Sequence, residues 1–202
     1  MKIFLTGCPD NKAEDSALYN EADFSLRLLP DTAVLGTKCP FFIPDFATQC
    51  RATLCAAVRV SRLGRSVYTR FASRYYDNVT AAIHLTAHPL FGQLVSAGLP
   101  ADRACGFDGA LALGRWEADA AEAMEAGTEL TAKLGGHVIA TMATPTSAAV
   151  DAALSAVSAY YTLRQGDILL LPVSSADEFP VTIDDHLDLL LGGVRVLSFN
   201  VK

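Results

Sequence analysis

The chain has 202 residues, of which 51% are hydrophobic and only 19% are charged, and its formal net charge is −6. A chain of this length can bury a sizeable core as one domain, and its apolar content excludes an intrinsically disordered protein. The acidic balance, without any run of Lys or Arg, argues against nucleic acid as a partner. No apolar stretch approaches the roughly 20 residues that cross a bilayer, so we expect no membrane partner either.

The cysteines point to a reducing compartment. They are Cys8, Cys39, Cys50, Cys55 and Cys105, an odd number with neither a CxxC pair nor zinc-finger spacing. Free thiols are typical of proteins in the cytoplasm. The apolar stretch Ile3-Phe4-Leu5 is much shorter than the roughly 7–15 residues of a signal-peptide core, so it predicts a strand instead. We therefore expect a cytoplasmic protein.

The first half of the chain predicts strands and one helix. Residues 2–6 predict a strand that ends in the turn residues 7–11, and residues 40–44 predict an extended passage between two prolines. Residues 48–60 alternate with period two, which is typical of a strand. Residues 66–76 change to helical spacing, with Val67, Phe71 and Tyr75 four apart, and another strand is predicted at 78–86.

The second half predicts two hairpins, a helix and a buried strand. The hairpins span 127–143 and 186–201, and each has a Gly-Gly pair at its turn. Between them, Thr144 and Pro145 predict the start of a helix over 146–161, whose buried stripe is Val150, Leu154, Val157 and Tyr161. Residues 166–171 predict a turn that enters a buried strand. Two helices among many strands indicate a single β-rich α+β domain over residues 1–202.

Several short motifs together resemble the fumarylacetoacetate hydrolase family in its short single-domain form. They occur in the family's order along nearly the whole chain, at residues 2–7, 29–35, 40–46, 71–77, 86–87, 98–100, 106–109, 162–167 and 199–202. The resemblance implies a twisted β-roll with flanking helices, usually as a homodimer. It also implies an activity on β-diketo acids or related dioates, at a site where oxygen ligands hold Mg²⁺, Mn²⁺ or Ca²⁺.

The positions that the resemblance assigns to chemistry hold other residues here. The family's His-x-Glu-x-Glu run falls on 51–55, so Arg51, Thr53 and Cys55 replace a histidine and two carboxylates. The third carboxylate ligand falls on His84, and the catalytic lysine falls on Cys105. A second lysine falls on Leu29, while Asp108 keeps an aspartate near the site. The family's early Gly-Arg-Asn-Tyr and late Thr-Gly-Thr-Pro motifs fall on 7–10 and 171–174 and are also changed.

These replacements lead to two hypotheses. A hard dication needs anionic oxygen ligands, so the first hypothesis is a pseudoenzyme with a binding or regulatory role, without cofactor, paired with itself or with an active paralogue. The second is an active hydrolase or isomerase with an altered site. In that case Cys55, His84 and Cys105 hold zinc, or one of the two thiols is a nucleophile beside His84. The sequence does not identify the small-molecule ligand.

The remaining chemistry-bearing residues favour ordinary structural roles. Asp77 and Asp108 are interpreted as turn or cap residues, and Trp116 as a core or interface residue. The four-residue spacing of His84 and His88 is accidental if both lie on a strand. Residues 184–186 (Asp-Asp-His) predict a solvated turn.

Overall fold

The computed structural model describes residues 1–7, 25–172 and 178–202. The predicted turn at 8–11 and positions 173–174 of the late motif lie outside these residues. The strands are β1 Ile3–Gly7, β2 Ser25–Leu29, β3 Gln49–Val60, β4 Tyr76–His88, β5 Leu111–Leu113, β6 Ala118–Asp119, β7 Glu129–Leu134, β8 His137–Ala143, β9 Ile168–Pro172, β10 Phe179–Val181, β11 His186–Leu191 and β12 Val194–Asn200. The helices are α1 Thr69–Ala72, α2 Leu90–Ser96, α3 Asp102–Cys105, α4 Ala120–Glu125 and α5 Ser147–Tyr160.

These elements form two sheets with flanking helices. The larger sheet has eight strands, in the order β2-β1-β9-β3-β4-β5 with β10 beside β3 and β6 beside β4, and the smaller has the order β12-β11-β7-β8. The long antiparallel pair β3–β4 lies at the centre of the larger sheet. The predicted strand-rich α+β class is therefore confirmed.

Side chains on the two faces of the β3–β4 pair enter two different buried clusters. Leu54, Ala56 and Val58 belong to the main core, together with residues of the smaller sheet and of α5. Cys55 and Ala57 face the other way, into a smaller cluster that also contains Leu29 of β2 and Leu111 of β5. Because β2 and β5 are at opposite ends of the strand order, the larger sheet curls around this second cluster.

The helix predicted over 66–76 is wrong except for its central turn. Only Thr69–Ala72 is helical, and the amides of Phe71, Arg74 and Tyr75 each bond to the carbonyl three residues earlier. The backbone of Val67 is instead held by α5, since its amide donates to Ser158 Oγ and its carbonyl accepts from Ser155 Oγ. The four-residue spacing was therefore coincidental: Phe71 lies 37% exposed rather than on a buried stripe.

The helix predicted over 146–161 is confirmed as α5, but its cap was assigned to the wrong residue. Thr146, not Thr144, accepts the amide of Ala149 at 3.3 Å. Thr144 is buried and donates to the carbonyl of Ala123, which anchors the end of β8 to α4. The sequence also missed α2, α3 and α4, although Asp119 caps α4 as its position before an alanine-rich run would indicate.

Both predicted hairpins are confirmed. Their Gly-Gly pairs, 135–136 and 192–193, have positive φ at both residues, which the two-residue turn requires and which glycine adopts without strain. The strand predicted at 78–86 extends to Tyr76–His88 as β4. In the part of the chain that the structure describes, no helix is both long and apolar enough to cross a membrane.

Candidate functional site

The second face of the β3–β4 pair collects most of the residues singled out from the sequence. The antiparallel register places Thr53 directly opposite His84, Arg51 opposite Thr86, and Cys55 opposite Ala82. Directly opposite side chains on one face of a sheet are about 5 Å apart, so Thr53 and His84 are neighbours. Helix α3 brings Cys105 to the same place, where His84 Nε2 lies 2.7 Å from the Cys105 carbonyl oxygen.

These residues are buried without any carboxylate among them. Cys55 and Cys105 are fully buried, and Thr53 and His84 are only 6% and 5% exposed. Leu29, at the position of a family lysine, is likewise buried and packs in the smaller cluster. Burying a charge requires a partner, whereas a thiol, a hydroxyl or a neutral imidazole is buried at far smaller cost. The part of this face formed by Thr53, Cys55, His84 and Cys105 is therefore built for uncharged side chains.

His84 is neutral at physiological pH. Burial lowers its pKa from 6.5 to about 4, an effect that the hydrogen bond to the Cys105 carbonyl opposes and the positive charge of Arg27 adds to. A carbonyl oxygen only accepts hydrogen bonds, so Nε2 of the neutral ring carries the proton and donates it to Cys105. The ring consequently joins β4 to the end of α3.

Both thiols at this face stay protonated. Burial raises the pKa of Cys55 to about 12 and also raises the pKa of Cys105. The Cys105 thiol donates to the carbonyl of Ala101 at 3.3 Å, and the Cys55 thiol lies 3.6 Å from the carbonyl of Thr53. Since the thiolate is the nucleophile and the metal ligand, neither cysteine is activated for either role.

Arg27 is a residue of this site that the sequence analysis missed. Its guanidinium Nη1 donates to Cys105 Sγ at 3.2 Å, and the guanidinium also lies 5.1 Å from the centre of the Phe91 ring. The sequence gives no sign of this role, because Arg27 lies outside the chemical motifs and reaches the site only through the curl of the sheet. Its effect on the pKa of His84 shows that its charge is felt there.

Arg51 forms a second polar group at the same face, next to β10. Its Nε and His88 Nε2 both lie 3.6 Å from Glu178 Oε2, while its Nη2 donates to the Glu178 carbonyl at 3.1 Å. Neither Arg51 Nε nor His88 Nε2 has a hydrogen-bond partner among the described residues, although both atoms are buried. Glu178 thus neutralises Arg51, and the ring of Phe91 lies near both His88 and Arg27.

The remaining residues of the sequence analysis form their described contacts with other partners. Asp108 is exposed in the turn after α3. Asp77 is part of β4 rather than a turn, and both of its oxygens accept from Arg59 at 3.0 Å, which corrects the turn assignment. Arg59 in turn lies over the partly buried ring of Trp116. Asp184 and Asp185 form the predicted turn, and His186 begins β11.

The donor set of this face does not suit the metal that the resemblance implies. Mg²⁺, Mn²⁺ and Ca²⁺ take anionic and carbonyl oxygens, whereas Thr53, Cys55 and His84 present a hydroxyl, a protonated thiol and a neutral imidazole. Within the described residues, no three His, Cys, Asp or Glu side chains form a group that could hold a metal ion. The zinc alternative therefore has no ligand set in that part of the chain.

Comparison with solved structures establishes the fold. A fumarylacetoacetate hydrolase family protein from Yersinia pestis CO92 matches all of this chain and 92% of its own, with a TM-score of 0.83 and 24% identity. Fumarylpyruvate hydrolase from Pseudomonas aeruginosa, solved with Mn²⁺ and pyruvate, matches all of this chain and 89% of its own, with a TM-score of 0.81 and 15% identity.

A third neighbour performs a different reaction on the same fold. The 5-carboxymethyl-2-hydroxymuconate delta-isomerase from Mycobacterium smegmatis covers 99% of this chain and 78% of its own, with a TM-score of 0.81 and 22% identity. No protein-family model and no curated protein sequence matches the chain. The chain thus has the fold of the fumarylacetoacetate hydrolase family, as its motifs predicted, at identities that carry no information on activity.

Proposed function

We propose that this chain is a fumarylacetoacetate hydrolase family protein that has lost the metal-dependent reaction and now binds a small molecule in a regulatory or accessory role. The observation that carries the proposal is the Thr53–His84 pair. On the second face of the β3–β4 pair, where the resemblance implies carboxylate ligands, the hydroxyl of Thr53 lies opposite the neutral imidazole of His84. Without anionic oxygens, a hard dication gains too little to offset the loss of its hydration shell.

The alternative of an altered, cysteine-based enzyme has less support. A nucleophilic cysteine needs a lowered thiol pKa and a base within hydrogen-bond reach. Here burial raises the pKa of both candidate thiols. His84 cannot act as that base through Nε2, because this atom donates its proton to the Cys105 carbonyl.

The direct test is turnover with and without metal. The protein is stripped with EDTA, supplied with Mn²⁺ or Mg²⁺, and mixed with fumarylpyruvate, whose cleavage is followed by loss of enol absorbance. The Pseudomonas aeruginosa fumarylpyruvate hydrolase serves as the positive control in the same cuvette conditions. We expect the control to turn over and this chain to stay at the background rate.

Metal binding, measured by its effect on thermal stability, is a second and independent test of the proposal. Mn²⁺ titrated into the stripped protein is expected to leave its melting temperature unchanged, while the Pseudomonas protein gains stability by mass action. Metal-dependent turnover by this chain would overturn the proposal. Should a weak rate appear, His84→Gln decides its origin: a rate that the variant abolishes belongs to this chain and refutes the proposal, whereas an unchanged rate is a contaminant and supports it.

Assembly and location complete the proposal. We propose a homodimer, as the resemblance implies, and light scattering after gel filtration is expected to give twice the chain mass; the mass of a monomer would refute it. A cytoplasmic location is supported by the described cysteines Cys39, Cys50, Cys55 and Cys105, which are free thiols.

A further inference from the structure

The connection between β3 and β4 concentrates positive charge on the surface of an acidic protein. Residues 61–75 contain no Asp, Glu or Lys, whereas the whole chain has a net charge of −6. They contain four exposed arginines, namely Arg62, Arg65, Arg70 and Arg74. Within the described residues, no carboxylate forms an ion pair with any of the four. Because like charges on one surface repel each other, segment 61–75 favours a negatively charged partner.

The two stretches outside the described residues begin at the opposite end of the larger sheet. They follow Gly7 and Pro172, which are the last residues of the parallel strands β1 and β9. Pro172 lies beside Cys55 of β3. The β3–β4 connection instead follows Val60, at the other end of β3. The acidic residues of these two stretches are therefore attached to the fold away from the four arginines.

Hydrogen bonds to α5 and to the chain after it hold segment 61–75 in place. The backbones of Gly64 and Leu163 bond to each other in both directions, at 3.2 and 2.7 Å. The amide of Ser66 donates to the carbonyl of Ser158 at 2.8 Å, next to the contacts that Val67 makes with the same helix. A partner therefore meets side chains on a backbone that is already ordered, so that less conformational entropy is lost on binding.

Exposed apolar side chains alternate with these arginines. Leu63 and Tyr68 are each 71% exposed. The guanidinium of Arg70 lies 4.7 Å from the centre of the Phe71 ring and 5.8 Å from the centre of the Tyr68 ring, and the guanidinium of Arg74 lies 5.3 Å from the centre of the Phe71 ring. Tyrosine and arginine are enriched among the residues that contribute most to protein–protein binding. The composition of segment 61–75 is therefore typical of a protein interface.

The same stacking favours a protein over a nucleic acid as the partner. Proteins that bind single strands stack the bases on free aromatic faces along a positively charged groove. Here Arg70 and Arg74 both lie over the Phe71 ring, and the rest of the chain is acidic. A guanidinium whose orientation is restricted by a ring presents two parallel N–H donors, which match a carboxylate.

We propose that segment 61–75 binds an acidic segment of a partner protein. Carboxylates of the partner pair with the four arginines, and an apolar side chain of the partner contacts Leu63 and Tyr68. This surface is separate from the Thr53–His84 pair, because Thr53 and Val60 are about 20 Å apart along β3. The inference does not depend on the loss of the metal-dependent reaction.

The test is a selection from a display library of random dodecapeptides against the full chain. The counter-selection uses a variant in which all four arginines of segment 61–75 are changed to glutamine. We expect the enriched peptides to contain several Asp or Glu residues and at least one aromatic or aliphatic residue. Absence of enrichment over the variant, or enrichment of peptides without net negative charge, would overturn the proposal.

Fluorescence anisotropy with one enriched peptide then assigns the contact. Arg70→Gln and Arg74→Gln are each expected to weaken binding by roughly 10-fold, as at a charge-assisted contact within an interface. Arg70→Lys keeps the charge but not the planar fork, and its affinity is expected to lie between that of Arg70→Gln and that of the wild type. Arg103→Gln removes an equal charge from the exposed surface of α3 and is the matched control, with less than about a twofold change. Unchanged affinity in both glutamine variants, with folding verified by circular dichroism, would refute the assignment.

Three other occupants of this surface are recognised by different results, and each of them would overturn the proposal. Tighter binding of a fluorescent oligothymidylate than of the peptide identifies a nucleic acid. A dimer that becomes a monomer in Arg70→Gln, measured by light scattering, identifies a second copy of the chain. Tighter peptide binding after the five acidic residues of 8–24 are changed to Asn or Gln identifies that segment. Metal-dependent turnover, in contrast, bears only on the proposed function.

Discussion

The buried neutral state of His84 predicts a specific dependence of stability on pH. In the folded protein the pKa of His84 is about 4, against 6.5 for an ordinary histidine. Between these values the unfolded chain binds a proton that the folded chain does not, so the free energy of unfolding falls as the pH is lowered from 6.5 to 4. Only well above pH 6.5 is the ring neutral in both states, so that it contributes no pH dependence there.

The magnitude follows from the two pKa values. Between pH 7.5 and pH 4.5, the linkage relation gives a loss of about 2–3 kcal/mol from this residue alone. His84→Gln removes the titration while an amide N–H can still reach the Cys105 carbonyl. The variant is therefore expected to lose about 2–3 kcal/mol less than the wild type over this interval.

Urea unfolding at the two pH values, followed by circular dichroism, measures the difference. Carboxylates titrate in the wild type and in the variant alike. We therefore compare the loss of free energy of unfolding between the two pH values in the wild type with the same loss in the variant. His137→Gln, at the exposed first residue of β8, is the control and should lose as much as the wild type. Equal losses in wild type and His84→Gln would show that the ring is charged or exposed, which would refute the account of the site given above.

Three further substitutions test the packing that supports the site. Asp167 is 1% exposed, and its carboxylate accepts the amides of Lys2 and Arg164, both at 2.8 Å. Asp167→Asn should reduce the free energy of unfolding by about 2–3 kcal/mol, while Asp184→Asn at an exposed turn should not; equal effects in urea titrations would contradict this. A Cβ on Gly114 would lie 2.6 Å from Thr80 Oγ1 and 2.7 Å from the Ala81 carbonyl. Gly114→Ala should therefore lower the melting temperature, corresponding to about 1–3 kcal/mol. Gly92→Ala in α2 meets open space and should stabilise by up to about 1 kcal/mol, so a lower melting temperature in this variant would count against the α2 assignment.

Local sequence was enough where a short-range rule decides the conformation. A Gly-Gly pair between alternating strands needs only its own two residues to form a tight turn, and both hairpins formed as predicted. Spacing alone misled at 66–76, because the backbone of Val67 forms hydrogen bonds with α5, about ninety residues away along the chain. No local pattern reports such a partner.

For the site as well, the sequence predicted one part and the tertiary structure decided the rest. The motifs placed Thr53, Cys55, His84 and Cys105 in one region by their resemblance to a family, and the register puts Thr53 opposite His84. The tertiary structure alone decided the protonation of these groups, because burial, a property of the whole fold, sets the pKa of His84 and of both thiols.

The low charge content of the sequence lies mostly in its Ala- and Leu-rich scaffold, because a few neutral replacements at the site cannot lower the average of 202 residues far. Composition and motifs by themselves determined a strand-rich α+β domain with altered positions at its centre. Only the tertiary structure decided that a cation remains there, because the curl of the larger sheet brings Arg27 from β2 to the end of α3. Contacts between distant segments are set by how strands pair and sheets bend, and the order of residues along the chain does not record them.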